Sequence, residues 1–304
     1  VNVDTTGGTP TLELETGNTD RAASYTSGSG TTTLNFTYTV QEGDNSSDLD
    51  FTGTSALTLN GGTIKASNGA ANNANLTLAS PGAANSLSDN SSIIVDTIAP
   101  TISVAINDGG DGTLNAAEDS SVTISGTTSG ISDGQTVSIN ISSSGGGTPI
   151  NTTAATNSNS YSANGIDVST LNDGTLTITA DVSDLAGNPA TQATDTSTKD
   201  TASPTISVAI NDGGDGRLNA SEDSSVTISG TTSGAEDDQT VSLNISSSSG
   251  GTPINTTATV NSNSYSVTGL DLSSLGDGTL TITADVDDLA GNSATQASDT
   301  TSKD

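Results

Sequence analysis

A gapless internal repeat constrains this chain more than any other feature. Residues 96–199 and 200–303 align at an offset of 104 positions with 22 differences, most of them conservative, such as Ile139 against Leu243. Repeat units of solenoid proteins run about 20–50 residues, so a unit of this length is a whole domain. The chain thus carries two copies of one domain behind a divergent first segment.

Within the first copy, apolar residues alternate with Ser and Thr in short runs. Ile102, Val104 and Ile106 share one face of an expected strand over 101–106. Val122 and Ile124 do so over 121–125, and Val137, Ile139 and Ile141 over 136–142. Runs at 150–155 and 160–164, a clean one at 175–182 and a weakly apolar one at 190–197 complete the set. Period-two alternation marks half-buried strands, and Thr suits their water-facing positions. Seven turn-punctuated strands in about 100 residues predict a Greek-key β-sandwich of immunoglobulin type. The first segment follows more loosely. Leu12 and Leu14 suggest one strand, and Leu34, Phe36, Tyr38 and Val40 a longer one. A hairpin is expected across Leu57–Ile64, with later strands at Leu76, Leu78 and 93–95. The fold class expected is all-β: three tandem Ig-like sandwiches in a linear rod, with domains at 1–95, 96–199 and 200–304.

Composition narrows the chemistry. Five Lys and Arg stand against 35 Asp and Glu, a net charge of −30, and there is no His, Cys, Met or Trp. That acidity argues against nucleic acid and anionic membranes as partners. Without His, Cys or a nucleophile elbow, most acid–base and covalent mechanisms have no residues to use. Zinc or copper sites of His or Cys are excluded, as are disulfides. No apolar run is long enough to cross a bilayer, and no leader is readable. Val3-Asp4-Thr5 echoes Val95-Asp96-Thr97, and Lys303-Asp304 echoes Lys199-Asp200, so the expectation is a segment of a longer array. Only 30% of residues are hydrophobic and 2% aromatic, which leans toward disorder. Against the strand alternation, this predicts a chain that folds with cation present and loosens without it.

The cation follows from one loop, Asn107-Asp-Gly-Gly-Asp-Gly-Thr-Leu-Asn-Ala-Ala-Glu118, recurring as Asn211 to Glu222. Asp108, Asp111, Glu118 and Asp119 place four carboxylates close in sequence, as Asp212, Asp215 and Glu222 do in the copy. Gly109, Gly110 and Gly112 let the backbone fold back. Two like charges about 4 Å apart cost roughly 4 kcal/mol at an effective dielectric of about 20, and no Lys or His stands nearby in the chain. Ca²⁺, with its irregular oxygen shells, is the expected filler. The loop partly matches an EF-hand at Asp111-Gly112, Leu114 and Glu118, but departs at Asn107 and Gly109 and lacks flanking helices. The bland alternative is a solvated acidic turn.

Strand direction suggests where these acids meet. The loop between first and second strands lies at the exit end of a sandwich, and the turn between sixth and seventh at the entry end. Loop 107–119, linker acid Asp200 and the turn carrying Asp285 and Asp288 are therefore expected at one junction. Asp96, Asp181, Asp184 and Asn188 are expected at the preceding one, with Glu15 and Asp20 from the first segment. Asp304 repeats the linker acid of Asp200. Both linkers end in proline, Pro100 and Pro204, which stiffens them.

The motifs Asp96-Thr-Ile-Ala-Pro100, the 107–118 loop, Val122-Thr-Ile-Ser-Gly-Thr-Thr128 and Asp184-Leu-Ala-Gly-Asn188 resemble the bacterial Ig-like tandem repeats of giant RTX-type, type I-secreted non-fimbrial adhesins. Residues 1–95 resemble another repeat type of such proteins, through Asp44–Phe51 and Leu59–Lys65. The resemblance implies an extracellular, cell-surface extender in adhesion or biofilm formation. It implies calcium at the domain boundaries and neighbouring repeats of the same polypeptide as partners. It further implies a monomeric segment, the surface ligand being gripped elsewhere in the parent protein.

The competing reading is a glycan-binding adhesin module using loop calcium. Near-identity of the copies favours the stalk, and aromatic platforms are scarce: Tyr161 and Tyr265 read as core or corner residues. A carboxylate-pair glycosidase lacks any suggested cleft, so no enzyme is expected.

Overall fold

The computed structural model describes residues 1–67 and 72–304. Those residues are almost entirely strand and turn. In the first segment the strands are β1 (Asn2–Asp4), β2 (Thr11–Leu14), β3 (Arg21–Ser27), β4 (Asn35–Thr37), β5 (Asn45–Ser46), β6 (Leu57–Thr58) and β7 (Thr63–Lys65). Helix α1 (Leu87–Asn90) and β8 (Val95–Asp96) follow.

The first copy contains β9 (Thr101–Ile102), β10 (Ala105–Asn107), β11 (Thr113–Leu114), β12 (Val122–Ser129), β13 (Thr136–Ser143), β14 (Ile150–Ala155), β15 (Ser160–Ile166), β16 (Gly174–Asp181) and β17 (Ala193–Lys199). One sheet places β9 and β10 on β12 and then β15; the other runs β11-β17-β16-β13-β14. The alternation decides which side chains lie between them. Ile106, Val122 and Ile124 from one sheet meet Val137, Ile139, Ile141, Leu176, Ile178 and Ala180 from the other. Each buried Ile, Leu or Val contributes about 1.5–3 kcal/mol. The second copy repeats both sheets, with Ile228, Ile245, Leu280 and Ile282 fully buried.

Two features escape the periodic reading. The run over 101–106 is split into β9 and β10, though Ser103 still donates its N–H to Thr127 O at 2.9 Å. Strand β11, inside the expected acidic loop, pairs in parallel with the end of β17. Two residues in a Gly/Asp-rich run show no periodicity, so this crossing from one sheet to the other is invisible in sequence.

Tyr161 and Tyr265 are corner residues. Each is 4% exposed, and each hydroxyl donates a 2.6 Å bond to a backbone carbonyl, of Ser103 and Ser207 respectively. Gly126 makes the approach possible, because a Cβ there would collide with Ser103 O and the Tyr161 hydroxyl.

The first segment is built from smaller sheets: β4-β3-β2-β6, with β1-β7 and β5-β8 as pairs. The expected hairpin across Leu57–Ile64 does not form as one. Its turn exists, with Asn60 and Gly61 at positive φ, but β6 joins β2 while β7 joins β1. The strand expected through Leu34–Val40 spans only Asn35–Thr37, Leu76 and Leu78 lie outside strands, and of 93–95 only Val95 is in one. Two buried carboxylates organise the loops instead. Asp44 accepts from Arg21 Nε at 3.3 Å and Gln41 N at 2.7 Å, and also from the Tyr38 hydroxyl. Asp50 accepts from the N–H groups of Phe51, Gly82 and Leu87 and from the Ser88 hydroxyl at 2.6 Å. Burial works to raise the Asp50 carboxyl, but these bonds outweigh it and hold it far below the usual carboxylate range.

Burial pushes the Tyr161 and Tyr265 hydroxyls up to about 12. In a spectrophotometric titration, both should stay protonated through the ordinary tyrosine range near pH 10. Because the folded-state values are raised, the stability these residues add is fully present below about pH 10 and is lost as pH climbs toward 12. Tyr161→Phe and Tyr265→Phe together should remove that late-titrating fraction.

The candidate joint between the repeats

Loop 107–119 is shaped by its own side chains. Gly109, Gly110 and Gly112 take φ of 80°, 93° and 84°. Asp108 accepts from Gly110 N at 3.1 Å and from the Ser197 hydroxyl at 3.0 Å, and Asp111 from Thr113 N at 2.9 Å. Glu118 accepts from Asn115 N at 3.1 Å, while Asn115 Oδ1 accepts from Ala117 N at 2.8 Å. The copy repeats this: Asp212 accepts from Gly214 N and the Thr301 hydroxyl, Asp215 from Arg217 N, and Glu222 from Asn219 N. The Thr301 hydroxyl, followed by the Gly214 amide, lowers the Asp212 carboxyl.

The expectation that no Lys stands near the loop is corrected. Lys199, at the end of β17 and 3% exposed, lies 3.2 Å from Asp119 Oδ2 and 3.5 Å from Asp173 Oδ1, and donates to Leu171 O at 2.9 Å. Its ammonium is thus held by one hydrogen bond and two ion pairs. Lys303 makes the same contacts with Asp223, Asp277 and Leu275 O. The one sequence signal was that each repeat holds a single Lys, at a strand end among acids.

Asp173 carries the clamp into the linker. It accepts from Thr201 N at 3.1 Å and from the Thr201 hydroxyl at 3.0 Å. Asp200 N donates to Leu114 O at 3.0 Å, and Asp200 Oδ1 accepts from Ala202 N at 3.0 Å.

The turn from the second copy meets this surface as expected, but through amides. Asn292 is closed onto Asp288 by two bonds, from its N–H at 2.8 Å and its Nδ2 at 3.0 Å. The same Nδ2 donates to Asp200 O at 2.9 Å. Across the seam, Ala116 N donates to Asn292 Oδ1 at 3.0 Å and Asn115 Nδ2 to Ala290 O at 3.1 Å. Gly291 allows the fit: its φ is 87°, and a Cβ there would sit 3.3 Å from Asn115 Nδ2. Ala290 and Asn292 are buried, whereas their counterparts Ala186 and Asn188 are exposed and half-buried.

The preceding junction differs. Asn188 donates to Asp96 O at 3.0 Å and to Asp184 Oδ2 at 2.9 Å, and Asp96 accepts from Ile98 N. Burial opposes ionisation of Asp184, yet the Asn188 side chain and the surrounding amides lower its carboxyl. Thr97 ties this linker to the first segment through Asp44 O and Gly43 N. Beside the turn lies a cavity of about 370 Å³ lined by Ile94, Asp96, Gly130, Ser132, Asp184, Leu185 and Ala186.

Several expected ligands stand apart from the seam. Asp181 and Asp285 bind the Gln192 and Gln296 amides of their own sandwiches. Glu15 accepts from the Ser46 hydroxyl at 3.4 Å, and Asp304 pairs with Arg217 at 3.0 Å. Among the described residues no three acidic side chains come together closely enough to hold an ion. The carboxylates as arranged are turn acceptors and salt-bridge partners and make no ready calcium shell. Sequence reading missed Asn115, Ala116, Asp173 and Lys199. For Asn115 the available signal was the Asn-Xaa-Xaa-Glu spacing of a side-chain-capped turn.

No family model matches the chain, and no curated protein matches it. Among solved structures it is similar to the tetra-tandem repeat in the extending region of a large adhesion protein, at 31% identity over 68% of this chain and 50% of that one, TM-score 0.34. It is also similar to a structure of a 1.5-MDa bacterial ice-binding adhesin, at 24% identity over 68% and 66% of the two chains, TM-score 0.42. A third is the fibronectin(III)-like modules of Clostridium thermocellum CbhA, at 13% identity over 66% and 94%, TM-score 0.33. The chain thus spans half the length of the first of these structures.

Removing one partner of a buried ion pair costs about 3–5 kcal/mol. Asp119→Ala should therefore destabilise the first sandwich by about 3 kcal/mol in urea unfolding. Asp173→Ala, whose carboxylate is partly exposed, should cost under about 1 kcal/mol but raise hydrogen exchange at Thr201.

Proposed function

We propose that this chain is an extender segment of a surface adhesion protein, in which consecutive sandwiches are held at a set angle so that the array transmits position and load. The observation that carries the reading is the seam between the copies: two hydrogen bonds from Asn115 and Ala116 to the turn at 290–292, backed by a linker tied down at Asp173 and Leu114. An extending role is also what is stated for the adhesion-protein repeats named above. Among the described residues no helix is long and apolar enough to cross a membrane. Extracellular placement, type I secretion and a part in biofilm formation belong to the same proposal, through the motifs that resemble giant adhesins.

Calcium forms a second, separable part of the proposal. Loop 107–119 carries Asp108, Asp111 and Glu118 at the same end of the sandwich as the linker acid Asp200, and an acidic surface accumulates cations. Binding there needs loop carboxylates to leave their turn contacts and converge, so calcium adds stiffness to a joint the protein has already formed.

The test is small-angle scattering of the full chain and of Asn292→Ala, each in millimolar calcium and in EDTA. The substitution should shorten the maximum dimension and broaden the profile in both buffers. Wild-type profiles that differ between buffers support the calcium part; identical ones remove it and leave the protein-made joint. An Asn292→Ala profile matching wild type overturns the joint.

A further inference from the structure

The seam is made by a socket and a plug, and the chain carries a second socket. The socket is the pair Asn115–Ala116, which offers a side-chain amide and a backbone N–H. The plug is the turn Asp288-Leu-Ala-Gly-Asn292. Asn219 and Ala220 rebuild the socket at the exit end of the second sandwich. Asn219 Oδ1 accepts from Ser221 N at 2.9 Å and Glu222 accepts from Asn219 N at 3.0 Å, as at Asn115 and Glu118, and the Ser221 hydroxyl adds a further bond to Asn219 Oδ1. The chain also leaves in the same register, because Asp304 N donates to Leu218 O at 3.2 Å as Asp200 N does to Leu114 O. Asn219 is exposed where Asn115 is half-buried, and neither Asn219 Nδ2 nor Ala220 N has a partner among the described residues. The 22 differences between the copies include the adjacent Ala117/Ser221, but none touches the socket pair, its Glu, or the five residues of the turn.

We infer that Asn219 and Ala220 form the docking seat for the entry end of another sandwich of this type placed behind Asp304, recognised by its Asp-Leu-Ala-Gly-Asn turn. The inference rests on the extender reading and supplies the chemistry by which one unit accepts the next. The seat binds a carbonyl through Asn219 Nδ2 and an Asn side-chain oxygen through Ala220 N. It selects a turn with Gly at its fourth position, because a side chain there would crowd the Asn219 amide as a Cβ at Gly291 would crowd Asn115.

The experiment lengthens the full chain by a further copy of residues 201–304 behind Asp304, which already stands where Asp200 does, and measures hydrogen exchange at single amides in calcium-free buffer. The Ala220 amide should slow about tenfold relative to the unlengthened chain, and Asn219→Ala should reverse much of that gain. Core amides of the added copy report that it has folded, and the Ala116 amide is an internal standard protected in both chains. An Ala220 amide that exchanges equally fast in both, with Ala116 protected and the added core folded, overturns the inference while leaving the extender reading in place. An unprotected Ala116 amide in the unlengthened chain overturns the joint itself, and this inference with it.

Discussion

The structure depends on the side chain of Asn292 being an amide. Its nitrogen donates to Asp288 within the turn and to Asp200 O in the linker, while its oxygen accepts from Ala116 in the preceding sandwich. A carboxylate at this position would face the Asp288 carboxylate and the Asp200 carbonyl with nothing to donate, and an apolar residue would take the side-chain partner from Asp288 Oδ2, Asp200 O and Ala116 N. Buried polar groups left unpaired cost about 1–3 kcal/mol each. One residue therefore couples turn, linker and neighbour.

Charge is handled in the same local way. With a net charge of −30, the chain could not gather its acids freely at the sandwich ends. Instead each carboxylate of the 107–119 loop is folded onto a nearby N–H or hydroxyl, and the most buried, Asp119, is given to Lys199. These acids thereby serve as turn formers and salt-bridge partners.

The two entry ends are not chemically alike, although the sandwiches are. Where the first copy has Ile98, Ile131, Ser132, Gly134, Ser183 and Pro189, the second has Ala202, Ala235, Glu236, Asp238, Asp287 and Ser293. At the first entry end Ile98 is exposed, as are Ile94 and Leu185, while Ile131 packs into its own sandwich's core. In the second, Glu236 accepts from Leu289 N in the very turn that forms the plug.

The sequence by itself determined the β-sandwich, the copy number of the repeat, the corner tyrosines, and the meeting of loop 107–119 with the turn at 288–292. All follow from local alternation and from strand direction, which a chain states residue by residue. In the first segment the same reading faltered, because its strands are two to seven residues long and pair across distant partners, so that β6 and β7 flank one turn yet join different sheets. Only the tertiary structure decided what the acids do. Spacing suggested carboxylates converging on an ion, but the partners that claim them, Lys199 for Asp119, Ser197 for Asp108 and Thr201 for Asp173, lie 28 to 89 positions away in the chain or at its strand ends. A hydrogen bond depends on distance and angle after folding, and no pattern along the sequence records which of two nearby groups will reach first.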